Sequence, residues 1–246
     1  RKTTDGLYVF SCGIAAKQMA DKVNARIVSN GVKGEVHTYS VTDYAESVIN
    51  AASGVYSDKA VNAVKAMLNY GTAAQQYFGY NTDNPANSIM TDDDKNMDMV
   101  GFNTYTGKLV NADSVSGISY YGSSLVLESD TILRNYFELS DGYSIDNYTF
   151  YVKDKDGNKN IIAPQKTDAS LYYIDISNVK AYELADNVNI YVQKNGDSED
   201  KIMMLEYGAY VYARYVDKYL DNTALKNLMT AMYHYCNAAT EYANIY

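Results

Sequence analysis

The apolar positions of the chain change period along its length, first in a pattern typical of strands and then in one typical of helices. Within residues 7–39, an LYVF run and an alternating KVNARIV run each predict a strand. The NG dipeptide at 30–31 predicts a tight turn, and residues 35–39 are expected to return as the second strand of a hairpin. The beginning of the chain is therefore expected to be mainly β structure.

Two helices are predicted after this hairpin. The serine and aspartate at 40–43 have the spacing of a capping box, which opens a helix expected to run through Ala52. Ser57 or Asp58 is expected to cap a longer helix that continues to about Phe78, with apolar residues three and four positions apart. The many alanine and glycine residues of this helix predict close packing against another helix or a sheet.

The same succession of strands and helices occurs a second time. The segments AMLNYGTAAQQY, from Ala66, and AMYHYCNAATEY, from Ala231, share the pattern A-M-x-x-Y-x-x-A-A-x-x-Y at an offset of 165, the difference between 231 and 66. Strands are predicted at LYYIDI, NVNIYVQ and KIMML, with helices at about 206–220 and 223–244 after them. Such an internal repeat indicates a duplicated architecture.

The predicted fold class is α+β, with antiparallel β-sheet or sandwich elements packed with αα-hairpins, internally duplicated. We expect a first repeat at residues 1–80, a polar and acidic connection at 81–117, and a second repeat with extra β strands at 118–246. The first repeat lacks the β sequence that precedes the second. Either the first repeat is truncated at its N-terminus, or the central strands serve both copies in one merged sheet.

The charge of the chain disfavours some classes of partner. Its formal net charge is −9 and its pI is near 4.7, whereas nucleic acid and anionic membranes attract basic surfaces. No apolar run approaches the roughly 20 residues of a transmembrane helix, so no membrane insertion is expected. The acidic cluster at 92–94, with Asp98, is expected to be a solvated loop.

One segment resembles part of a calcium loop. In DKDGN, the residues Asp154, Asp156 and Asn158 place oxygen donors at the first, third and fifth positions of such a loop. The resemblance then ends, because Lys159 occupies the position of the required glycine and Gln165 that of the acidic twelfth residue. We expect a hairpin turn that binds no calcium, and we expect no cofactor.

The histidines and cysteines of the chain form no recognisable motif. His37 and His234 belong to no metal-ligand spacing. Cys12 and Cys236 are expected to be two buried thiols, the common state of unpaired cysteines. The alternative is one disulfide that joins the two ends of an exported chain.

The best candidate binding surface lies on the helix predicted at about 206–220. The residues expected opposite its apolar face are Tyr207, Tyr210, Arg214 and Lys218. Tyrosine and arginine are enriched at interaction hot spots, which favours a binding surface. The alternative is that the tyrosine rings cover a neighbouring loop, since the chain contains 27 tyrosines and uses them freely.

Several segments together resemble a known kind of module. They are GIAAKQMAD, TYSVTDYA, KAMLNYGTAAQQYFGYNTDN, SLVLESDTILRNYF and ALKNLMTAMYHYCNAATEY. Over most of its length the chain is similar to a poorly characterised domain of large secreted or surface-attached proteins from gut-dwelling Gram-positive bacteria, and YFGYNTDN is the most specific of these segments. The resemblance implies an extracellular setting and an accessory role, and it carries over no catalytic residue.

Two functions from different classes are compatible with the sequence. The first is a non-catalytic extracellular accessory module that binds a polysaccharide or another surface protein, or that acts as a spacer in a larger protein. The alternative is a carbohydrate-active hydrolase that uses a pair of carboxylates. A concave pocket with two close carboxylates of shifted pKa would favour the hydrolase, and a shallow tyrosine-lined face would favour the binding module.

Overall fold

The chain folds into a helical part, a β-sandwich and a β-hairpin. The computed structural model describes residues 6, 8–98, 114–127, 131–154, 156–168, 170–177, 179–184, 188–197, 201–206 and 221–244, with the backbone alone at 202–206. Within these residues, helices and antiparallel sheets together give the α+β class, as the sequence predicts.

The helices of the described residues are α1 (Val41–Ile49), α2 (Asp58–Phe78), α3 (Asp92–Lys95) and α4 (Thr223–Ala243), and 3-10 turns lie at Ala16–Gln18, Ile145–Asn147 and Ala181–Glu183. The strands are β1 (Val23–Ser29), β2 (Val32–Tyr39), β3 (Ile118–Leu127), β4 (Thr131–Leu139), β5 (Tyr148–Lys153), β6 (Lys159–Ile162), β7 (Gln165–Lys166), β8 (Tyr172–Ile176), β9 (Val188–Lys194) and β10 (Lys201–Glu206).

Local capping explains where the helices begin and end. The Ser40 hydroxyl accepts a hydrogen bond from the Asp43 backbone N–H at 2.9 Å, and the Ser57 hydroxyl accepts one from the Ala60 N–H at 3.2 Å. Each bond satisfies a donor that the first turn of a helix leaves unpaired. Gly79 ends α2 in the left-handed conformation, with φ at 60°. The predicted bounds of α2 are confirmed.

The elements themselves repeat at the offset found in the sequence. Helices α2 and α4 are each 21 residues long, and their first residues, Asp58 and Thr223, differ by 165 positions. The 3-10 turns that begin at Ala16 and Ala181 differ by 165 positions as well, as do strands β1 and β9. Each copy therefore contains a 3-10 turn, a hairpin and a long helix in the same order.

Two four-stranded antiparallel sheets form the β-sandwich, with strand orders β10-β9-β5-β6 and β3-β4-β8-β7. Buried side chains of both sheets belong to one apolar cluster, in which the Phe137 and Phe150 ring centroids are 5.0 Å apart. Across β4 and β8, the Arg134 guanidinium donates two hydrogen bonds to the Asp175 carboxylate, at 2.7 and 2.8 Å. Such a bidentate pair fixes the register of the two strands.

Strands β1 and β2 form a two-stranded sheet of their own, joined by the predicted turn at Asn30-Gly31. Almost every residue of this hairpin is exposed, so the strand pair of the first copy gives its long helix no sheet to pack against. The predicted LYVF strand is wrong. Tyr8 makes an isolated bridge, whereas Val9 and Phe10 belong to irregular, exposed chain.

The helical core lies where α2 packs against α4. Its fully buried members are Ala45, Leu68, Ala86, Leu228, Met229, Ala231 and Met232, which come from α1, α2, α4 and the segment after α2. The rings of Tyr70 and Tyr235 stack with centroids 5.8 Å apart. Because 70 and 235 differ by 165, the two helices meet at equivalent positions of the two repeats.

In the part of the chain that the structure describes, no helix is both long enough and apolar enough to cross a membrane.

Burial of Tyr70 and Tyr235 makes stability depend on alkaline pH. Burial raises the pKa of both hydroxyls, because the phenolate is poorly solvated in the core. The pKa of a tyrosine in the unfolded chain is about 10. A buried tyrosine with a higher pKa contributes fully to the free energy of unfolding below about pH 10. Above about pH 10 that contribution falls by about 1.4 kcal/mol per pH unit, because the unfolded chain loses the proton first. We expect Tyr70→Phe to lose less stability than the wild type between about pH 9 and about pH 11.

Urea unfolding at both pH values measures this difference, with the exposed Tyr121→Phe as control. An equal loss of stability in Tyr70→Phe and the wild type would contradict the account.

Each repeat carries two adjacent alanines, Ala73-Ala74 and Ala238-Ala239, which we expect to allow close packing of the long helices. Ala74 is buried in the helical core, and its counterpart Ala239 is half-buried. Ala74→Leu should overpack the core and cost about 1–3 kcal/mol, whereas Ala239→Leu should cost less. A thermal melt without ligand measures both variants. Unchanged melting of both would indicate a groove at these positions instead of close packing.

Candidate functional site

One face of α2 carries polar side chains although it packs against the segment that follows the helix. Lys65, Asn69, Thr72 and Gln75 follow one another at spacings of three and four residues, which places them on the same side of a helix. The side chains of Asn69, Thr72 and Gln75 are buried. We refer to these three residues as the polar clamp, because they bind the chain that follows α2.

Gln75 is the most buried member of the polar clamp. Its amide Nε2 donates to the backbone carbonyl oxygens of Asn81 and Asn84, at 3.3 and 3.0 Å, and its Oε1 accepts from the Ala86 N–H at 2.8 Å. A buried side-chain amide is stable only when such partners satisfy it. Gln75 thereby holds three points of the turn that follows α2.

Asn69 and Thr72 bind the next part of the same segment. The Thr72 hydroxyl accepts from the Asn87 N–H at 2.9 Å, and the Asn69 Oδ1 accepts from the Asn87 side-chain amide at 2.8 Å. The Asn69 amide also donates to the Asp94 carbonyl oxygen at 2.9 Å. Residues 81–94 are therefore packed along α2 and are not a solvated linker.

A glycine of α2 makes room for this segment. A Cβ at Gly71 would lie 2.8 Å from the Met19 Sδ and 3.1 Å from the Ala86 Cβ, closer than side chains normally approach. Ala86 itself is fully buried, so the segment contacts α2 through both apolar atoms and the polar clamp.

Between α2, this segment and α4 lies a cavity of about 440 Å³. Its lining residues are Asn69, Thr72, Ala73, Gln76, Pro85, Asn87, Lys95, Met97, Asn227 and Thr230. The volume falls within the range of about 300–1,000 Å³ that small-molecule sites occupy. Two members of the polar clamp, Asn69 and Thr72, form part of its wall.

The described lining residues combine amides, hydroxyls and one cation, and none of them carries a carboxylate. The side-chain amides of Gln76 and Asn227 make no hydrogen bond to a described residue, and each offers two donors and an acceptor. Met97, Pro85 and Ala73 supply apolar surface beside them. This arrangement can bind a ligand whose polar groups are uncharged.

The carboxylate of Asp94 adjoins the lining residue Lys95 but is already paired. It lies 2.8 Å from the Lys65 Nζ and accepts a hydrogen bond from the Thr91 hydroxyl. Lys65 first, and then Thr91, lower the pKa of the Asp94 carboxyl. Asp94 is thus an ionised structural group and is unsuited to donate a proton near neutral pH.

The sequence predicts a binding surface at Tyr207, Tyr210, Arg214 and Lys218, and all four lie outside the described residues.

The predicted hairpin turn at DKDGN is confirmed, since it joins β5 to β6. The Asp154 carboxylate accepts from the N–H groups of Asp156 and Asn158, at 2.9 and 2.8 Å, and from the Asn158 amide at 3.0 Å. These bonds, chiefly those from Asn158, lower the pKa of Asp154. That the loop binds no calcium stays a prediction.

The two cysteines are unpaired, and the two histidines have different neighbours. Cys236 is buried as expected, but Cys12 is exposed and the two form no disulfide. The expectation of two buried thiols is wrong for Cys12, which lies in irregular chain. His37 stacks on Tyr39 in the hairpin, and the His234 Nε2 lies 2.8 Å from the Asp98 carbonyl oxygen. Within the described residues, no group of three or more histidine, cysteine or acidic side chains could hold a metal ion.

Sequence reasoning missed both the polar clamp and the cavity. The three-four spacing of Lys65, Asn69, Thr72 and Gln75 was available as a signal, but a polar stripe on a helix normally indicates a solvated face. A stripe made of amides and a hydroxyl, with one charge at its end, is better suited to bind backbone groups than to face water.

None of the protein-family models, curated proteins or solved structures compared with the chain matches it.

Replacing Gln75 should destabilise the protein far more than replacing its neighbour. Gln75→Ala leaves the buried Ala86 N–H without a partner, and a buried unsatisfied group costs about 1–3 kcal/mol. Gln76→Ala, at an exposed position of the same helix, should change stability by less than about 0.5 kcal/mol. Urea denaturation measures both. Similar effects of the two substitutions would contradict the role of the polar clamp.

Proposed function

We propose that the chain is a non-catalytic binding module that holds an uncharged, hydroxyl-bearing ligand, such as a saccharide unit, in the cavity between α2 and α4. The observation that carries the proposal is the lining of this cavity. Its available amides, on Gln76 and Asn227, can donate to and accept from hydroxyl groups at the same time.

The rigidity of the wall supports a binding role. Asn69 and Thr72 are held by Asn87 and by the Asp94 carbonyl oxygen, so this part of the cavity is formed without a ligand. A preformed wall reduces the ordering cost of binding. The described residues of the lining carry no aromatic ring, so the affinity they supply would come from hydrogen bonds and from contact with Met97, Pro85 and Ala73.

The charge of the lining favours uncharged ligands over cations. Among the described residues that line the cavity, Lys95 is the one charged residue, and a side-chain oxygen of Asp92 lies 3.6 Å from its Nζ. A cationic ligand would meet the positive charge of Lys95, and no described residue of the lining offers the ligand a carboxylate.

The hydrolase alternative receives less support from the geometry. A glycosidase of the usual kind needs one carboxyl of raised pKa and a second carboxylate about 5–10 Å away. No carboxylate occurs among the lining residues that the structure describes. The described carboxyls with a shifted pKa, Asp43, Asp94 and Asp154, are all shifted downwards by their hydrogen-bond partners.

An extracellular setting is part of the proposal. It is supported by the resemblance of the chain to a domain of secreted or surface-attached bacterial proteins, which implies an accessory role. Polysaccharides offer many uncharged hydroxyl groups, which suits the amides of the cavity.

The proposal predicts that Asn227→Ala weakens the binding of glycans. Loss of one hydrogen bond to an uncharged group is worth about 0.5–1.5 kcal/mol, which corresponds to a fall in affinity of about twofold to tenfold. A glycan array and a set of plant polysaccharides identify ligands, and titration calorimetry of the best one measures the loss.

The repeat supplies a matched control. Asn62 is the counterpart of Asn227 at the offset of 165, and it is exposed and does not line the cavity. Asn62→Ala should therefore leave affinity unchanged. Absence of any retained glycan, or equal affinities of the wild type and Asn227→Ala, would contradict the proposal.

A further inference from the structure

Two neighbouring polar groups in the wall of the cavity between α2 and α4 have unused hydrogen-bonding capacity. The Thr72 hydroxyl accepts from the Asn87 N–H at 2.9 Å, and no described residue accepts the proton of that hydroxyl. The Asn87 side-chain amide donates to the Asn69 Oδ1 at 2.8 Å, and the Asn87 Oδ1 accepts from no described residue. Thr72 therefore offers a hydrogen-bond donor to the cavity, and Asn87 offers an acceptor beside it.

This donor and this acceptor are held in place without a ligand. The buried Asn69 accepts from the Asn87 amide and donates to the Asp94 carbonyl oxygen at 2.9 Å, so its own orientation is fixed at both ends. Thr72 is only 8% exposed, and the bond from the Asn87 backbone joins it to the same segment. Groups that are already oriented bind a complementary ligand at a small ordering cost.

Apolar groups flank the donor and the acceptor. Ala73 follows Thr72 along α2 and offers a methyl group to the cavity. Pro85 comes two residues before Asn87, and Met97 lines the cavity as well. A methionine side chain adapts its shape to the group that it covers. This part of the cavity thus combines a donor, an acceptor and surface for a small apolar group.

We propose that the ligand of the cavity is a sugar that carries an acetamido group. The inference rests on the proposed function and names the class of saccharide. The acetamido carbonyl oxygen accepts from the Thr72 hydroxyl, and the acetamido N–H donates to the Asn87 Oδ1. The acetyl methyl group lies against the apolar part of the lining. The amides of Gln76 and Asn227 bind the ring hydroxyls.

An acetamido group uses the donor, the acceptor and the apolar surface together, whereas a hydroxyl group uses only polar partners. One additional hydrogen bond strengthens binding about twofold to tenfold, and burial of one methyl group about fourfold. An acetylated amino sugar should therefore bind about tenfold more tightly than the sugar with a hydroxyl at the same carbon. The acetamido group is uncharged and so avoids repulsion by Lys95.

NMR titrations of the chain compare N-acetylglucosamine with glucose, and N-acetylgalactosamine with galactose. Within each pair, the sugars differ only in the acetamido or hydroxyl group at the second carbon. At least one acetylated sugar should bind about tenfold more tightly than its counterpart. Saturation-transfer NMR should give its acetyl methyl the strongest signal. Equal affinities within both pairs would overturn the proposal.

Three variants locate the acetamido group. Thr72→Val removes the donor at a similar side-chain volume, and should reduce the affinity for the acetylated sugar to that for the plain sugar. Thr72→Ser retains the hydroxyl and should retain the preference, whereas Asn227→Ala should weaken both sugars equally. A preference that Thr72→Val leaves intact would contradict the proposal. Circular dichroism checks folding, because Thr72→Val also leaves the Asn87 N–H without its acceptor. If Thr72→Val does not fold, the paired sugars on the wild type decide.

The outcomes separate this inference from the proposed function. If a plain sugar binds as tightly as its acetylated counterpart and Asn227→Ala weakens both, the proposed function stands and the inference is wrong. If no saccharide binds, both are wrong. The amide of N-acetyl-lysine carries an acetamido group without ring hydroxyls, and it should bind more weakly than the acetylated sugar. Equal or tighter binding of this probe would assign the cavity to an acetylated peptide and overturn the proposal.

Discussion

The contact between α2 and α4 is the interaction on which the rest of the structure depends. Each helix is the longest element of its repeat, and each turns fully buried residues towards the other, among them Leu68, Leu228 and Met232. Helix α2 could not bury this surface on the strand pair of its own repeat, because the first hairpin is exposed and offers no covering sheet. Repeats that cannot bury their apolar face alone are stable through their neighbours. Tyr70 and Tyr235, which occupy equivalent positions of the two repeats, stack on each other in this contact.

The second constraint is the polar clamp, which links packing to the proposed binding site. Apolar packing at Gly71 brings residues 81–94 close to α2, and the backbone groups of that segment that turn away from water, above all the N–H of the buried Ala86, then need other partners. Gln75, Asn69 and Thr72 supply them. Because the segment is held at these points, a cavity stays open between it and α4. The polar side chains that stabilise the fold therefore also form a wall of the candidate site.

Much of the local structure could be predicted from the sequence, and the reasons are physical. Ser57 and Gly79 cap the two ends of α2. Asn30-Gly31 forms the turn of a hairpin, because both residues adopt positive φ angles. Capping and turn formation both depend only on residues close together in the sequence. The exposure of β1 and β2 could not be predicted in this way, because Ile27 and Val192 have the same pattern around them and differ only in what the remainder of the chain places beside them. The cavity depends on contacts among three separate segments, and no spacing in the sequence records such contacts.

Hydrogen exchange of the native protein tests the shared helical core most directly. If the two repeats form one cooperative unit, the slowest amides of α2 and α4 exchange with the same free energy, equal to that of global unfolding. The hairpin of β1 and β2, which lies outside this core, should exchange at a much lower free energy. Different free energies for the slowest amides of α2 and α4 would contradict the account, because each repeat would then open without the other.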